Sequence, residues 1–382
     1  MQPPNPEKGK TALVLAGGGI MGGAYEIGAL TALDRLFTKG FSARRFDIYI
    51  GVSAGSLIAA LVASGIPPAL LFRAVNDERG VFNWRRSDIY RVDYRAIISS
   101  CWHLLCNLLR IYRQGRRNRW TFSLHEFFYI LQEQFPAGLF SLEPLQKYLC
   151  QAFAAEGIKN DFNALSPELY IPAYDLDRGQ RVVFGSEGYR DMHICQAITA
   201  SCAIPYFFRP YQIGSQQYID GSTGQVSHLD IAIERGAKLI VVINPRVPID
   251  NDLERICLPS LSYGKCSSIA DLGIAFAWEQ AMRIETKVKL EMALDGYRYR
   301  HPEVDILLIE PGSEEAMLFF QSPMNYRARQ HVMNYGYDLT LGQLNDRFAE
   351  FQSVLGHHGI EVSADHLASA PPADQRDETG TG

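Results

Sequence analysis

Ser53 is the side chain whose type and spacing most directly suggest chemistry in this sequence. It stands at the centre of Gly51-Val52-Ser53-Ala54-Gly55, between an apolar run that predicts a strand and one that predicts a helix. A G-x-S-x-G sequence on a tight strand-to-helix turn is typical of a nucleophile elbow. We expect glycine at 51 and 55 because a Cβ at either position would clash where strand and helix meet. The helix would aim its first N–H groups at whatever the serine attacks.

A glycine-rich segment, residues 17–23, follows the first predicted strand and allows three interpretations. Consecutive glycines could present the N–H groups of Gly17, Gly18 and Gly19 to an oxyanion, as acyl transfer requires. The spacing also fits a dinucleotide-binding loop, which needs an acidic residue at the end of the next strand. Asp47 is at the start of that strand, which argues against a nucleotide. The third interpretation is a tight structural turn.

A serine hydroxyl is a weak nucleophile and needs a base. His228 follows Asp220 and would complete the Ser–Asp–His order of α/β-hydrolases, but the gap is short and His228 is predicted to cap a helix from Leu229. The other histidines are interpreted as surface or structural residues. Asp220 ends an apolar strand and precedes Gly221, as in an active-site loop. A carboxylate can itself be the general base if burial raises its pKa.

The elements around these residues alternate at first between strand and helix. A strand at Thr11–Ala16, a helix at Ala24–Phe37, the strand before the elbow and the helix after it predict a parallel sheet with right-handed crossovers. Residues 66–165 are predicted to be helical, with no clear strand. Further strands are predicted at Leu169–Tyr174, Arg181–Phe184, Gln217–Ile219, Lys238–Asn244 and Val304–Ile309, with helices at Ile194–Ser201, Leu229–Gly236, 262–293 and Tyr326–Leu355.

Four segments together resemble the patatin-like phospholipases, a family of serine acyl hydrolases with a Ser–Asp dyad. Residues 17–22 resemble the oxyanion loop of that family and residues 51–55 its elbow. Residues 200–210 are similar to its A-S-x-A-x-P-x-x-F-x-P segment, and Asp220-Gly221-Ser222 to its Asp-Gly-Gly/Ala. The resemblance covers about residues 11–65 and 168–245.

This resemblance implies a three-layer α/β/α sandwich around a mostly parallel sheet. It implies that Ser53 is the acylated nucleophile, Asp220 its base and Gly17, Gly18 and Gly19 the oxyanion hole, with Gly51, Gly55 and Gly221 as support. The expected activity is a lipid acyl hydrolase of phospholipase A or lysophospholipase type, with no cofactor and no metal. Hydrolysis of other esters, acyl transfer and a catalytically silent lipid-binding protein are the alternatives.

The chain departs from the family pattern in its oxyanion loop and after the aspartate. Met21 stands where family members often carry Arg or Lys, so a cation near the oxyanion or the substrate's phosphate is absent from the loop. Ser222 stands in place of Gly or Ala, which is the milder change because Gly221 is the residue that must stay small.

The predicted helical insertion carries a cluster of positive charge. Residues 94–125 contain no acidic residue and six arginines: Arg95, Arg110, Arg113, Arg116, Arg117 and Arg119. Ile97, Cys101, Leu104, Leu105, Leu108 and Ile111 fall on one face of the same helix. An amphipathic helix with Trp102 and a flanking arginine cluster suits an anionic lipid surface, so we predict a lid or membrane-contact element. The alternative is a cap helix over the active site with its arginines solvated or paired.

Composition sets the remaining expectations. A chain of 382 residues with net charge −5 gives no reason to expect nucleic acid. Seven scattered cysteines without C-x-x-C spacing predict neither a zinc site nor a disulfide framework, so reduced thiols in a cytoplasmic setting are expected. No Sec signal peptide or transmembrane helix is predicted. The predicted organisation is a polar lead (1–10), one hydrolase domain (11–360) and a disordered tail (361–382).

Overall fold

A computed structural model describes residues 9–38, 40–82, 85–118, 135–225, 227–251, 268–314 and 326–367. The strands are β1 Lys10–Leu15, β2 Ile48–Gly51, β3 Arg91–Val92, β4 Gly138–Ser141, β5 Glu168–Asp175, β6 Gln180–Phe184, β7 Tyr206–Phe208, β8 Tyr211–Ile213, β9 Gln216–Asp220, β10 Ala237–Ile243 and β11 Asp305–Ile309. The helices are α1 Gly19–Leu36, α2 Ala54–Ala63, α3 Pro68–Asn76, α4 Arg86–Ile89, α5 Tyr94–Asn118, α6 Glu143–Ala155, α7 Ile194–Ser201, α8 Leu229–Glu234, α9 Ile274–Arg300, α10 Arg329–Asp346 and α11 Phe348–His357.

The central sheet has the strand order β11-β10-β1-β2-β5-β9-β8, and β6 pairs with β5 off this path. The strands from β11 to β5 run parallel, whereas β9, β8 and β6 are added antiparallel. The carboxyl ends of parallel strands meet at one edge, which is where open α/β sheets bind ligands. The turns after β1, β2 and β10 all lie at that edge.

Helices cover both faces of the sheet, so the predicted three-layer α/β/α sandwich is confirmed. In β1, Leu13 and Leu15 face one core, which contains residues of α1, α2 and α10. Ala12 and Val14 face a second core that contains residues of α8 and α9. This alternation is the two-residue period of a strand, and because both faces are covered the strand reads as one continuous apolar run.

Several predicted boundaries change. The helix predicted from Ala24 begins at Gly19, so the glycine-rich loop is shorter than the sequence indicates. The predicted closing helix is divided into α10 and α11 at Arg347. The helix predicted at 262–293 begins at Ile274 and runs to Arg300, and its predicted start at 262–267 lies outside the described residues.

The predicted insertion, residues 66–165, is not purely helical. It contains β3 and β4, which form a small sheet with β7 in the order β3-β4-β7. These strands were missed because they have two and four residues, too few to show a clear strand period. Leu71 and Phe72 of α3 and Leu149 and Phe153 of α6 are buried in the main core. Both ends of the insertion therefore belong to the body of the fold.

The expectation that the cysteines are all reduced is wrong for two of them. Cys150 of α6 and Cys195 of α7 form a disulfide between residues 45 positions apart. Nothing in their sequence spacing indicates the pair, because the contact arises from the packing of two helices. Cys101, Cys106 and Cys202 are free, and Cys257 and Cys266 lie outside the described residues.

The disordered tail was predicted to begin too early. Val362 pairs with Phe37 in an isolated antiparallel bridge, and the N–H of Ser363 donates to the carbonyl of Leu36. Leu367 is buried. Residues 361–367 are therefore part of the fold, and the rest of the predicted tail lies outside the described residues. None of the described helices is both long and apolar enough to cross a bilayer.

Candidate active site

Ser53 is placed on the turn between β2 and α2, in a backbone conformation that non-glycine residues rarely adopt. Its φ is 52° and its ψ is −129°, which stores strain of the kind found at functional sites. The N–H of Ser53 donates to Oγ of Ser201 at 2.9 Å, and Ser201 donates in turn to the carbonyl of Pro172 at 2.7 Å. The hydroxyl of Ser56 donates to the carbonyl of Ser53. These bonds hold the strained turn in place.

The glycines of the turn are required by close backbone contacts. A Cβ on Gly51 would lie 2.5 Å from Cα of Ser56, and one on Gly55 would lie 2.7 Å from the carbonyl oxygen of Leu15. Both distances are shorter than non-bonded atoms allow. The neighbours are main-chain atoms, which cannot rotate away to relieve the clash. The close packing of β1, β2 and α2 therefore depends on both glycines.

Asp220 reaches the elbow through the sheet register. Ile50 of β2 pairs with Tyr170 of β5, and Ala173, further along β5, pairs with Asp220 at the end of β9. β5 continues past the end of β2, so it brings Asp220 level with the turn that holds Ser53. The structure thus brings these two residues together from positions 167 residues apart in the chain.

The carboxylate of Asp220 is buried. Among the described residues, one of its oxygens accepts a hydrogen bond and the other does not. Oδ1 accepts from the N–H of Ser222 at 2.8 Å, and Oδ2 makes no hydrogen bond of standard geometry with the described residues. Burial raises the pKa of Asp220, against lowering effects of the Ser222 N–H, the Ser53 hydroxyl and the charge of Arg246. A raised pKa makes a carboxylate a stronger base, and a loose serine–base contact is common before substrate binds.

His228 supports the turn after Asp220 and does not contact Ser53. Its Nε2 lies 2.9 Å from the carbonyl oxygen of Gly221, and its Nδ1 lies 3.2 Å from Nη1 of Arg181. Burial lowers the pKa of His228 to about 4, so the ring is neutral near pH 7. A neutral ring can donate to Gly221 and accept from Arg181. His228 precedes α8 as predicted, but its side chain makes no capping hydrogen bond.

Gly221 is the second support of this turn. A Cβ on Gly221 would lie 2.3 Å from the carbonyl oxygen of Pro172, the same group that accepts from Ser201. Any larger residue would therefore push the Asp220 turn away from β5 and disturb the Ser201 bridge to the elbow.

The glycine loop lies beside the elbow, and its three glycines differ in role. Gly17, Gly18 and Gly19 all have positive φ, at 76°, 126° and 67°. The N–H of Gly17 is occupied, because it donates to Oε1 of Glu26 at 2.7 Å. The N–H groups of Gly18 and Gly19, and that of Ala54 in the elbow, make no hydrogen bond within the described parts of the chain. Because α1 begins at Gly19, its positive dipole end also lies at this loop.

Glu26 was not predicted as part of the site. It is fully buried in α1, and both carboxyl oxygens would lie 3.0 Å from a Cβ on Gly55, so it sits between the glycine loop and the elbow. Burial raises the pKa of Glu26 to about 8, although the Gly17 N–H lowers it. A single acidic residue inside the apolar run 24–33 was the sequence signal, since an isolated buried carboxyl usually has a specific partner.

An apolar cavity of about 760 Å³, open to solvent, begins at Ser53. Its wall is built by α1, α2, α6 and α7 together with α3 and the β7 strand, and includes Ile27, Leu57, Ile58, Val75, Phe82, Ile89, Leu142, Leu145, Leu149, Ile198 and Phe208. Arg329, paired with Glu78, and the thiol of Cys202 are the polar groups of the wall besides Ser53 among the described residues. A cavity with this apolar lining suits an alkyl chain.

Cys202 and Met21 mark two further differences from expectation. Burial raises the pKa of the Cys202 thiol, which lies beside the hydroxyls of Ser56 and Ser53, so the thiol stays protonated. Cys202 occupies the variable position of the A-S-x-A segment, so its motif does not indicate a role for it. Met21 is buried in the core, so its side chain does not line the cavity. No group of three or more metal-ligating side chains occurs within the described residues.

A family model for Patatin-like phospholipase matches residues 13–233 of the chain. The chain is 26% identical over 228 residues to the "Probable lipid hydrolase 463L" of Invertebrate iridescent virus 6, covering 58% of this chain and 63% of that protein. It is 25% identical over 222 residues to the "Uncharacterized protein YqhO" of Bacillus subtilis (strain 168), covering 54% and 62%. The chain thus spans less than two thirds of the length of these relatives.

Two solved structures match the chain at low similarity. VipD from Legionella pneumophila gives a TM-score of 0.36 at 14% identity, covering 89% of this chain and 67% of that one. ExoU, a type III effector protein of Pseudomonas aeruginosa, gives a TM-score of 0.36 at 16% identity, covering 90% and 54%.

Proposed function

Since this chain belongs to the patatin-like phospholipase family, we propose that it is a lipid acyl hydrolase that cleaves carboxylic esters through a Ser53–Asp220 dyad. The observation that carries the proposal is one arrangement. A buried serine lines an apolar cavity and has a buried carboxylate close to its hydroxyl, next to backbone N–H groups that have no hydrogen-bond partner among the described residues.

In the proposed mechanism Asp220 removes the proton of Ser53 as its oxygen attacks the ester carbonyl. The resulting oxyanion accepts hydrogen bonds from the N–H groups of Gly18 and Gly19, while Gly17 shapes the loop and keeps its own N–H on Glu26. Collapse of the tetrahedral intermediate releases the alcohol, which takes the proton from Asp220. Asp220 then activates a water that hydrolyses the acyl-enzyme, and the released fatty acid leaves the cavity.

The apolar cavity supports a substrate with a long acyl chain. Its wall is lined almost entirely by apolar side chains, as the walls of ligand-binding pockets usually are. An alkyl chain placed along this wall would bury apolar surface, and each Å² buried favours binding by about 25 cal/mol. We therefore place the phospholipase A and lysophospholipase reactions ahead of the hydrolysis of short soluble esters.

Hydrolysis of a phospholipid and neutral-ester panel by the wild type, Ser53→Ala and Asp220→Asn tests the proposal. We expect both variants to lose about a thousandfold or more in kcat/KM while binding lipid like the wild type. A fluorophosphonate probe should label the wild type and leave Ser53→Ala unlabelled. Activity that survives both substitutions would exclude the dyad, and binding without labelling or turnover would indicate a silent lipid-binding protein.

We also propose that α5 is the element that contacts the lipid surface. Five apolar residues at positions 94, 98, 102, 105 and 109 form one strip along the helix, and each is more than half exposed: Tyr94, Ile98, Trp102, Leu105 and Leu109. Ile97 and Leu104, from the predicted apolar face, are half-buried. The exposed strip is therefore a second apolar side, which a globular protein in water does not stabilise.

The position and charge of α5 favour a membrane as its partner. Phe82 and Ile89 before the helix, and Leu142 and Leu145 further along the chain, line the cavity, so α5 lies in the sequence between two segments of the cavity wall. Arg95, Arg110 and Arg113 flank the strip, and no acidic residue occurs in 94–125. The side chains of Arg116 and Arg117, and Arg119 as a whole, lie outside the described part. An apolar strip with flanking arginines matches an anionic interface.

A further inference from the structure

Arg246 lies against the glycine loop, on the turn that follows β10. Its N–H donates to Oδ1 of Asn244, which holds the turn after the strand. A Cβ on Gly18 would lie 3.2 Å from Cγ of Arg246, so the arginine stem packs directly on the Cα of Gly18. The absence of a side chain at Gly18 therefore allows the arginine to approach the loop.

The guanidinium of Arg246 is half-buried and makes no hydrogen bond or ion pair of standard geometry with any described residue. The neighbouring cations differ in this respect. Arg283 pairs with Glu279 and donates to the carbonyl of Val247, and Lys289 pairs with Glu285 and donates to the carbonyl of Gly224. Arginine has five N–H donors in a planar fork, so the half-buried fork of Arg246 keeps donors available for an anion.

The charge of Arg246 affects the pKa of Asp220. Burial raises the pKa of Asp220, and Arg246 is among the groups that lower it. The two residues nevertheless form no ion pair of standard geometry: Oδ1 of Asp220 accepts from the N–H of Ser222, and Oδ2 has no hydrogen-bond partner among the described residues. A guanidinium close to a catalytic carboxylate, yet unpaired with it, leaves its donors for an anion carried by the substrate.

We propose that Arg246 binds the phosphate of a glycerophospholipid while its neighbouring ester reacts at Ser53. This inference rests on the proposed hydrolase function. The loop itself supplies no cation to this place, because Met21 is buried in the core. In a glycerophospholipid the phosphate is separated from the esters only by the glycerol carbons, so an anion site beside the oxyanion loop fits the substrate's geometry. A guanidinium binds a phosphate through two parallel hydrogen bonds.

Binding to a non-hydrolysable ligand separates this inference from the question of turnover. In the Ser53→Ala background, Arg246→Gln should weaken binding of a diether phosphatidylcholine by about tenfold or more. Binding of the matching uncharged dialkylglycerol should change less than about twofold. Arg246→Lys should restore part of the difference, and Arg298→Gln on the exposed end of α9 is the matched control. Equal losses for both ligands, or no loss for either, would overturn the inference.

A turnover assay on variants that keep Ser53 provides a second measurement. Arg246→Gln should raise KM for phosphatidylcholine in mixed micelles without a matching rise for diacylglycerol of the same acyl chains.

Inorganic phosphate alone is the third ligand in the binding experiment. If phosphate bound as tightly as the diether lipid and its binding depended on Arg246, Arg246 would belong to a free-phosphate site, and the headgroup role would be overturned. A wild type that neither labels with the probe nor hydrolyses any ester would instead refute the proposed function, and the binding measurement would still stand on its own.

Discussion

The carboxyl group of Glu26 accepts a hydrogen bond from the N–H of Gly17 at 2.7 Å and thereby links helix α1 to the glycine loop. The elbow lies on the other side of the same carboxyl, because Gly55 packs against it. One buried acid thus links the two turns that the proposed chemistry needs. It also removes Gly17 from the set of free donors.

We predict that Glu26 makes stability depend on pH. Its pKa is about 8 in the folded chain and near the ordinary value of 4.5 when unfolded. Its contribution is therefore full below pH 4.5 and is lost as pH rises to about 8, at up to about 1.4 kcal/mol per pH unit. Glu26→Gln, which mimics the neutral acid, should remove this loss and exceed the wild type in stability at pH 9.

Urea unfolding at pH 5, 7 and 9 measures the effect. Glu26→Ala is the matched control, because it removes the acid and also leaves the Gly17 N–H without an acceptor. We expect Glu26→Ala to lose about 1–3 kcal/mol at pH 7. Parallel pH profiles for the wild type and Glu26→Gln would contradict the prediction.

Filling the cavity should change the acyl-chain preference. Leu149 of α6 is buried and lines the cavity wall. Leu149→Trp would occupy space that a long chain needs, so kcat/KM for a sixteen-carbon ester should fall by about tenfold or more relative to a four-carbon ester. Leu294→Phe, an enlargement in the core on the other face of the sheet, is the control for overpacking. An equal fall for both esters in Leu149→Trp would argue against the cavity as the acyl site.

The arginines at positions 113–119 should govern binding to anionic vesicles. Replacing Arg113, Arg116, Arg117 and Arg119 with Gln should weaken association with phosphatidylserine vesicles by about tenfold or more, since each cation near such a surface contributes about 1 kcal/mol. Neutral vesicles should show a smaller change. The matched control removes four exposed arginines elsewhere: Arg178, Arg190, Arg298 and Arg300. Unchanged vesicle binding in the α5 variant would exclude this surface.

The Cys150–Cys195 disulfide should stabilise the chain measurably. It closes a loop across 45 positions and joins α6 to α7, both of which line the cavity. The double substitution to serine should lower the free energy of unfolding by about 2–4 kcal/mol. A reductant should lower the stability of the wild type by a similar amount and leave the double variant unaffected. If reductant has no effect on the unfolding of the wild type, the bond does not form in solution.

The sequence indicated the fold wherever a local pattern carries the information. Apolar runs such as Thr11–Ala16 and glycine turns such as the one before α2 define β1, β2 and the parallel sheet. Short strands such as β3 could not be predicted, because two residues show no period. The disulfide and the Glu26 contact depend on how helices pack, and no spacing rule reports such contacts. Arg246 was missed because it lies 193 positions after Ser53 and reaches the loop only through the β1–β10 pairing.

The backbone conformation of Ser53 lowers the stability of the fold while it holds the serine hydroxyl in place for the proposed chemistry. Glycine adopts a φ of 52° with a ψ of −129° at little cost, whereas a residue with a Cβ there carries roughly 1–3 kcal/mol of strain. A library of variants ranked by resistance to heat would therefore enrich glycine at position 53. Selection for stability alone would therefore favour loss of the serine, so at this position a gain in stability and the proposed chemistry require different residues.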